Sequence, residues 1–129
     1  MEPLSRAQLV QERVAEVGFD WPSAEGAFEK VVEEVAEVRE LLDAGAGGGD
    51  DPGHALRIEE EIGDLLFAVV NLARLTGTHA MGALMLANAK FERRFRALEE
   101  LAVARGVVLG QAGLEELDVL WDEVKKRES

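Results

Sequence analysis

From Ile62 to Leu75 the chain is apolar around most of a helical circumference, and two acids, Glu61 and Asp64, stand at the head of that run. Ile62, Leu65, Leu66, Val69, Leu72 and Ala73 form the main stripe, and Phe67, Ala68, Val70 and Leu75 extend it sideways. A helix with so little polar surface has to be surrounded by other helices. The remaining sequence agrees with this. It has three prolines, no cysteine and no long stretch of alternating apolar and polar residues, and Val107-Val108-Leu109 is too short to build a sheet. The expected fold is all-α, an antiparallel helical bundle in a single domain over residues 1–129. In so small a protein, part of the apolar surface of the third helix is expected to meet a second subunit.

Capping residues divide the chain into five helices. The first is predicted from about Leu4 to Val17, stopping at Gly18. After the turn Phe19-Asp20-Trp21-Pro22, Ser23 is placed to cap a second helix that runs to about Asp43. That helix carries Phe28, Val31, Val32, Val35, Val38 and Leu42 on one stripe. Residues 44–53 form a glycine-rich linker without the Gly-Lys-Ser/Thr ending or the preceding strand of a phosphate loop. Asp51-Pro52 reads as a cap and a first helical position, opening a third helix that stops at Gly77. A fourth helix, from about Thr78 to before Gly106, directs Met81, Leu84, Phe91, Phe95 and Leu98 inward, and a fifth covers roughly Leu114 to Glu128.

The formal net charge of −12 argues against duplex nucleic acid or an anionic membrane as a partner. No apolar run is long enough to span a bilayer and no signal peptide opens the chain, so a cytoplasmic protein is expected. Without cysteine there is no disulfide or thiolate metal site, and His54 and His79 are not spaced as a metal-binding pair.

The chemistry that remains is that of carboxylates. Glu34 and Glu37 on the second helix, and Glu61 and Asp64 on the third, are each spaced i, i+3 and so share a side of their helix. If the two helices pack antiparallel, the four acids converge. They would repel one another unless a hard divalent cation, Mg²⁺ or Mn²⁺, sat among them. Glu33 adjoins the set as a possible base. The competing reading is a solvated acidic face, which suits Glu33, Glu40, Glu59 and Glu60 and is least apt for Asp64, given its apolar surroundings. A polyphosphate would also need cations. Lys90 and Arg94 are spaced i, i+4 on the fourth helix, and Trp121 and Lys125 repeat that spacing on the fifth. Trp121 either packs on a base or ribose or belongs to the core, and Asn71 and Asn88 either read a base edge or satisfy a helix contact.

At these residues the chain resembles the MazG nucleoside triphosphate pyrophosphohydrolases. The resemblance is carried by K-V-V-E-E-V-A-E, E-E-I-G-D-L-L-F-A-V-V-N-L-A-R and A-N-A-K-F-E-R-R-F-R-A-L-E, in that order. The family's E-E-x-x-E and E-x-x-D motifs fall on Glu33, Glu34, Glu37, Glu61 and Asp64. The resemblance is to the C-terminal, catalytic domain of two-domain members. It implies the all-α pyrophosphohydrolase fold in a homodimer or larger oligomer, and Mg²⁺-dependent hydrolysis of NTPs or dNTPs to monophosphate and pyrophosphate, with nucleotide-pool house-cleaning as a cellular role that fits. It implies Glu34, Glu37, Glu61 and Asp64 as metal ligands, and Lys90, Arg94, Trp121 and Lys125 as lining the nucleotide site. Two other readings stay open: a non-enzymatic acidic helical interaction module, and a base-specific dUTP, dCTP or phosphoribosyl-ATP pyrophosphohydrolase.

Overall fold

A computed structural model describes residues 1–45 and 51–128. Among them are five helices and no strand: α1 (Pro3–Ala15), α2 (Ala24–Gly45), α3 (Pro52–Leu75), α4 (Ala80–Ala104) and α5 (Leu114–Glu128). The chain is therefore all-α, as expected. Residues 46–50 of the expected linker lie outside the described residues, while Gly45 and Gly53 at its ends are helical.

The helix ends follow the local chemistry. The Glu2 carboxylate accepts hydrogen bonds from the Leu4 and Ser5 amides at 2.9 and 2.7 Å, with Pro3 at the first helical position. Asp51 accepts from the Gly53 amide at 3.0 Å, with Pro52 in the same place on α3. At the other ends, Gly18 (φ 87°) and Gly77 (φ 76°) supply the left-handed backbone of a Schellman stop. The paired bonds of that motif run from Phe19 N to Val14 O and Gly18 N to Ala15 O, and again from Thr78 N to Ala73 O and Gly77 N to Arg74 O.

The chain divides into two compact units, Met1–Ala83 and Leu84–Ser129. In the first, α2 and α3 pack antiparallel. The end of α2 meets the start of α3, where a Cβ on Gly45 would run into the His54 ring, and Glu34 lies beside Glu61 and Asp64 farther along. The less exposed positions form a heptad-like seam: Ala27, Val31, Glu34, Val38 and Leu41 on α2 and Ile58, Glu61, Leu65, Ala68 and Leu72 on α3. Helix α1 packs on α3, where the Gln11 amide donates to the Phe67 carbonyl at 2.9 Å.

This seam corrects the expected apolar faces. Phe28, Val32, Val35 and Leu42, read as facing inward, are about half exposed, and so are Ile62, Leu66 and Val69 on the stripe taken as the centre of α3. They lie about 100° around each helix from the seam, and because the pair is antiparallel the two flanks share one side of it. Periodicity registered both apolar stripes on each helix, but the one that meets the chain itself is the narrower stripe containing the acids.

In the second unit Leu98, Leu101, Ala102, Leu120 and Val124 are buried together, with Leu117 and Trp121 packed against them. Leu84, Phe91 and Phe95, expected inside, are largely exposed. Replacing Leu120 by Ala removes a side chain that is only 3% exposed. It should lower the unfolding free energy by about 2–5 kcal/mol, read as a lower urea midpoint at unchanged slope. A shift within the noise of a surface substitution would show that this cluster is not the core of the unit.

Candidate active site

Three acids meet in the seam of the first unit. Carboxylate oxygens of Glu34, Glu61 and Asp64, one from each, lie within 4.8 Å of one another. Glu34 is buried, Glu61 half-buried and Asp64 exposed. The i, i+3 step from Glu61 to Asp64 brings both to the α2 side of α3, and the seam position of Glu34 points it at them. Glu37, one turn farther along α2, stands close enough to Glu61 to share a proton with it. Glu33 is exposed and its Oε1 accepts from Lys30 Nζ at 3.3 Å.

The electrostatics follow from this crowding. Glu61 is pushed up to about 7, first by the proton shared with Glu37, then by loss of solvent and by the charges of Glu37 and Glu34. Lys30 partly offsets the negative charge: its Nζ lies 3.2 Å from Glu34 Oε1, and its own pKa rises because Glu34 and Glu33 hold the proton on it. The neutralisation is incomplete. Glu34 Oε2 and Glu61 Oε2 are both buried without a hydrogen-bond partner among the described residues. Ionised oxygens withdrawn from water need positive charge. An all-oxygen, all-carboxylate donor set of this kind fits a hard divalent cation such as Mg²⁺ or Mn²⁺.

Beside the acids opens a cavity of about 630 Å³. Glu34, Asp64 and Lys30 form part of its wall. The rest comes from Val10, Gln11 and Val14 of α1, Phe19 and Trp21 of the turn, and Phe67, Asn71 and Arg74 of α3. The Arg74 guanidinium clamps the Asp20 carboxylate with both terminal nitrogens, one of the bonds measuring 3.0 Å, and so ties the turn to α3. That pairing holds the Asp20 carboxyl below the ordinary carboxylate range. Gly26 lets the Trp21 ring close on α2: a Cβ there would stand 3.0 Å from the indole.

The other residues singled out in the sequence fall as follows. Asn71 lines the cavity, and its Oδ1 accepts from Arg74 Nη2 at 2.8 Å. Asn88, Lys90, Arg94, Trp121 and Lys125 belong to the second unit. There Asn88, Lys90 and Lys125 are exposed, and Trp121 is half-buried with its ring centroid 5.3 Å from that of Phe91. Arg94 Nε donates to Glu128 at 2.6 Å. Lys30, Gln11, Trp21 and the Asp20–Arg74 pair were not singled out. Only Lys30 carried a local signal, the i, i+4 spacing to Glu34.

Comparison with known proteins adds a family. Residues 23–98 match the MazG nucleotide pyrophosphohydrolase domain, a stretch that includes the three converging acids and Glu37. The chain is 46% identical over 125 residues to a nucleoside triphosphate pyrophosphohydrolase of Escherichia coli K12, covering 97% of this chain and 45% of that protein. It is 40% identical over 122 residues to the nucleoside triphosphate pyrophosphohydrolase/pyrophosphatase MazG of Thermotoga maritima, covering 95% and 44%. It is 44% identical over 75 residues to the uncharacterised protein YabN of Bacillus subtilis, covering 58% and 15%. The chain thus spans less than half the length of each of these relatives.

Proposed function

This chain belongs to the MazG nucleotide pyrophosphohydrolase family, and from that premise we propose that it hydrolyses NTPs or dNTPs to the nucleoside monophosphate and pyrophosphate. The observation that carries this reading is the trio of carboxylates with two buried, undonated oxygens at the edge of a cavity. Glu34, Glu61 and Asp64 would hold the cation, Mg²⁺ with Mn²⁺ as a substitute, and Glu37 would join them once Glu61 is ionised. A cation bound there supplies Lewis acidity toward phosphate oxygens and water.

The chain's own groups account for the rest. Water attacks the α-phosphorus, the bond from that phosphorus to the bridging oxygen of the β-phosphate breaks, and pyrophosphate leaves with that oxygen. Glu33, solvent-exposed and hydrogen-bonded to Lys30, would orient the water or take its proton. Lys30 can turn from Glu34 toward a phosphate oxygen when a cation replaces it as the partner of the acids. On the family pattern, Lys90, Arg94 and Lys125 would serve as cations for the triphosphate and Trp121 would line the nucleotide site. The open apolar flank carrying Phe28, Val32, Val35, Ile62, Leu66 and Val69 supports a homo-oligomer, since a surface of this kind is covered in stable proteins. No described helix is long and apolar enough to cross a membrane. The reaction suits the cytoplasm and a house-cleaning role in the nucleotide pool.

The test is a panel of NTPs and dNTPs incubated with and without Mg²⁺, with products separated by chromatography. Monophosphate and pyrophosphate in equal amounts, appearing only with the metal, are expected. Diphosphate and phosphate would place the cleavage at the wrong bond.

A further inference from the structure

Going one step beyond that reading, and resting on it, we infer that Glu128 is the positioning residue for Arg94, holding the guanidinium by its inner nitrogen so that the outer fork is presented to the triphosphate. The hydrogen bond runs from Arg94 Nε on α4 to Glu128 Oε2 on α5, at 2.6 Å. Nε belongs to the rigid plane of the guanidinium, so fixing the direction of its N–H fixes the plane. The bond makes no use of Nη1 and Nη2.

Arg74 and Arg105 are built differently. Arg74 engages Asp20 through both terminal nitrogens, and Arg105 engages Glu123 in the same way. An arginine that closes a contact within the fold spends its fork on the partner. Arg94 keeps its fork, and two parallel N–H groups at that spacing fit two oxygens of one phosphate.

Glu128 is itself held in place. Arg93 Nε donates to its other oxygen, Oε1, at 3.2 Å, so one carboxylate bridges two guanidinium groups and the trio keeps a surplus positive charge. The Arg94 and Glu128 side chains are 24% and 28% exposed, against 62% for Arg93, which lies outermost. Glu128 is also the last residue of α5, in a turn otherwise filled by Lys125, Lys126 and Arg127. The terminal carbonyls of a helix favour such cations and oppose an acid. The acid therefore does nothing for its own helix, and its gain comes from the arginines of α4. It shares a helix face with Trp121 and Lys125, seven and three residues before it. The face of α5 that lines the nucleotide site in this reading thus also carries the group that sets the arginine.

The experiment compares Glu128→Ala, Glu128→Gln, Arg94→Ala and the Arg94→Ala/Glu128→Ala double variant with the unaltered protein. Alanine at the end of a helix keeps the fold, which circular dichroism checks. Steady-state kinetics on dNTPs are measured beside competitive inhibition by inorganic tripolyphosphate. Charge counting alone says that removing an acid from a chain of net charge −12 should tighten the binding of an anion. Positioning predicts the opposite sign. In Glu128→Ala, KM and the tripolyphosphate inhibition constant should rise together by about fivefold, less than the loss of a whole charge-assisted hydrogen bond, with kcat retained. Glu128→Gln keeps an oxygen that can accept from Nε and should lie closer to the parent. In the Arg94→Ala background, Glu128→Ala should add nothing.

An unchanged or lower KM in Glu128→Ala overturns the assignment, and so does a glutamine variant worse than the alanine one. A further rise in the Arg94→Ala background also overturns it, because the effect would then pass through α5 and not through the arginine. If Arg94→Ala itself leaves KM where it was, the arginine touches no phosphate, and the assignment falls while the hydrolysis stands. If the unaltered protein releases no pyrophosphate from any nucleotide, the underlying reading fails first and takes the assignment with it.

Discussion

Asp64→Asn should reduce pyrophosphate release by more than about a hundredfold and leave the fold intact. Changes to groups that merely orient a metal ligand cost roughly 10–100-fold, so loss of a ligand itself should exceed that. Asp64 is the most exposed of the three converging acids, and the substitution keeps its shape. The cost therefore falls on the chemistry and not on packing. The same change removes one negative charge from a crowd of four, so the metal-free variant should melt at the same temperature as the parent or higher. Activity is followed by pyrophosphate release at saturating Mg²⁺, and the fold by circular dichroism. Near-full turnover in Asp64→Asn would falsify the assigned site. A cooperative loss of helicity would mean that Asp64 serves the fold instead.

The second large effect is a reversal of the pH dependence of stability by Mg²⁺. Glu61 titrates at about 7 in the folded protein, against an ordinary value of 4.5. The folded state therefore holds that proton over a range where the unfolded chain has released it. The resulting stability is fully present below about 4.5 and is lost as pH rises through about 7. Without metal, the melting temperature should fall between about pH 5 and pH 8, and Glu61→Gln should flatten the slope. Asp20, Glu123 and Glu128 are shifted downward by their arginine partners, so their titration lies below this window and does not obscure it. A cation binds the ionised acids. Its stabilisation should grow with pH over the same interval and reach about 2.7 kcal/mol at one hundred times its Kd. Melting temperatures that ignore Mg²⁺ at pH 8 would leave the buried carboxylate oxygens without their proposed partner.

Much of the local structure could be read along the chain. Gly18 and Gly77 announced their helix ends because a Schellman stop needs a left-handed residue, and Asp51-Pro52 announced a beginning for equally local reasons. The acids could be read too, since an i, i+3 pair depends only on the pitch of one helix. Harder to read was the direction of the apolar faces. Phe28, Val32 and Val35 have the spacing of a core stripe and are open in this chain, while the seam that closes contains Glu34 and Glu61. Hydropathy counts apolar stripes without saying which neighbour each one meets.

The cavity was further still from view. It joins Gln11 to Phe67 and Asp20 to Arg74, pairs separated by 56 and 54 residues with no periodic relation between them. Gln11 in isolation looks like any polar residue on a surface helix.

Sequence by itself determined the five helices, their stops and the two acidic pairs, because each depends on residues within a turn or two of one another. Tertiary structure alone decided that three acids share one point, that Lys30 answers them, and which apolar flank stays open. Those outcomes depend on how α1 and α2 settle against α3, where side chains distant along the chain exclude water from the same small volume.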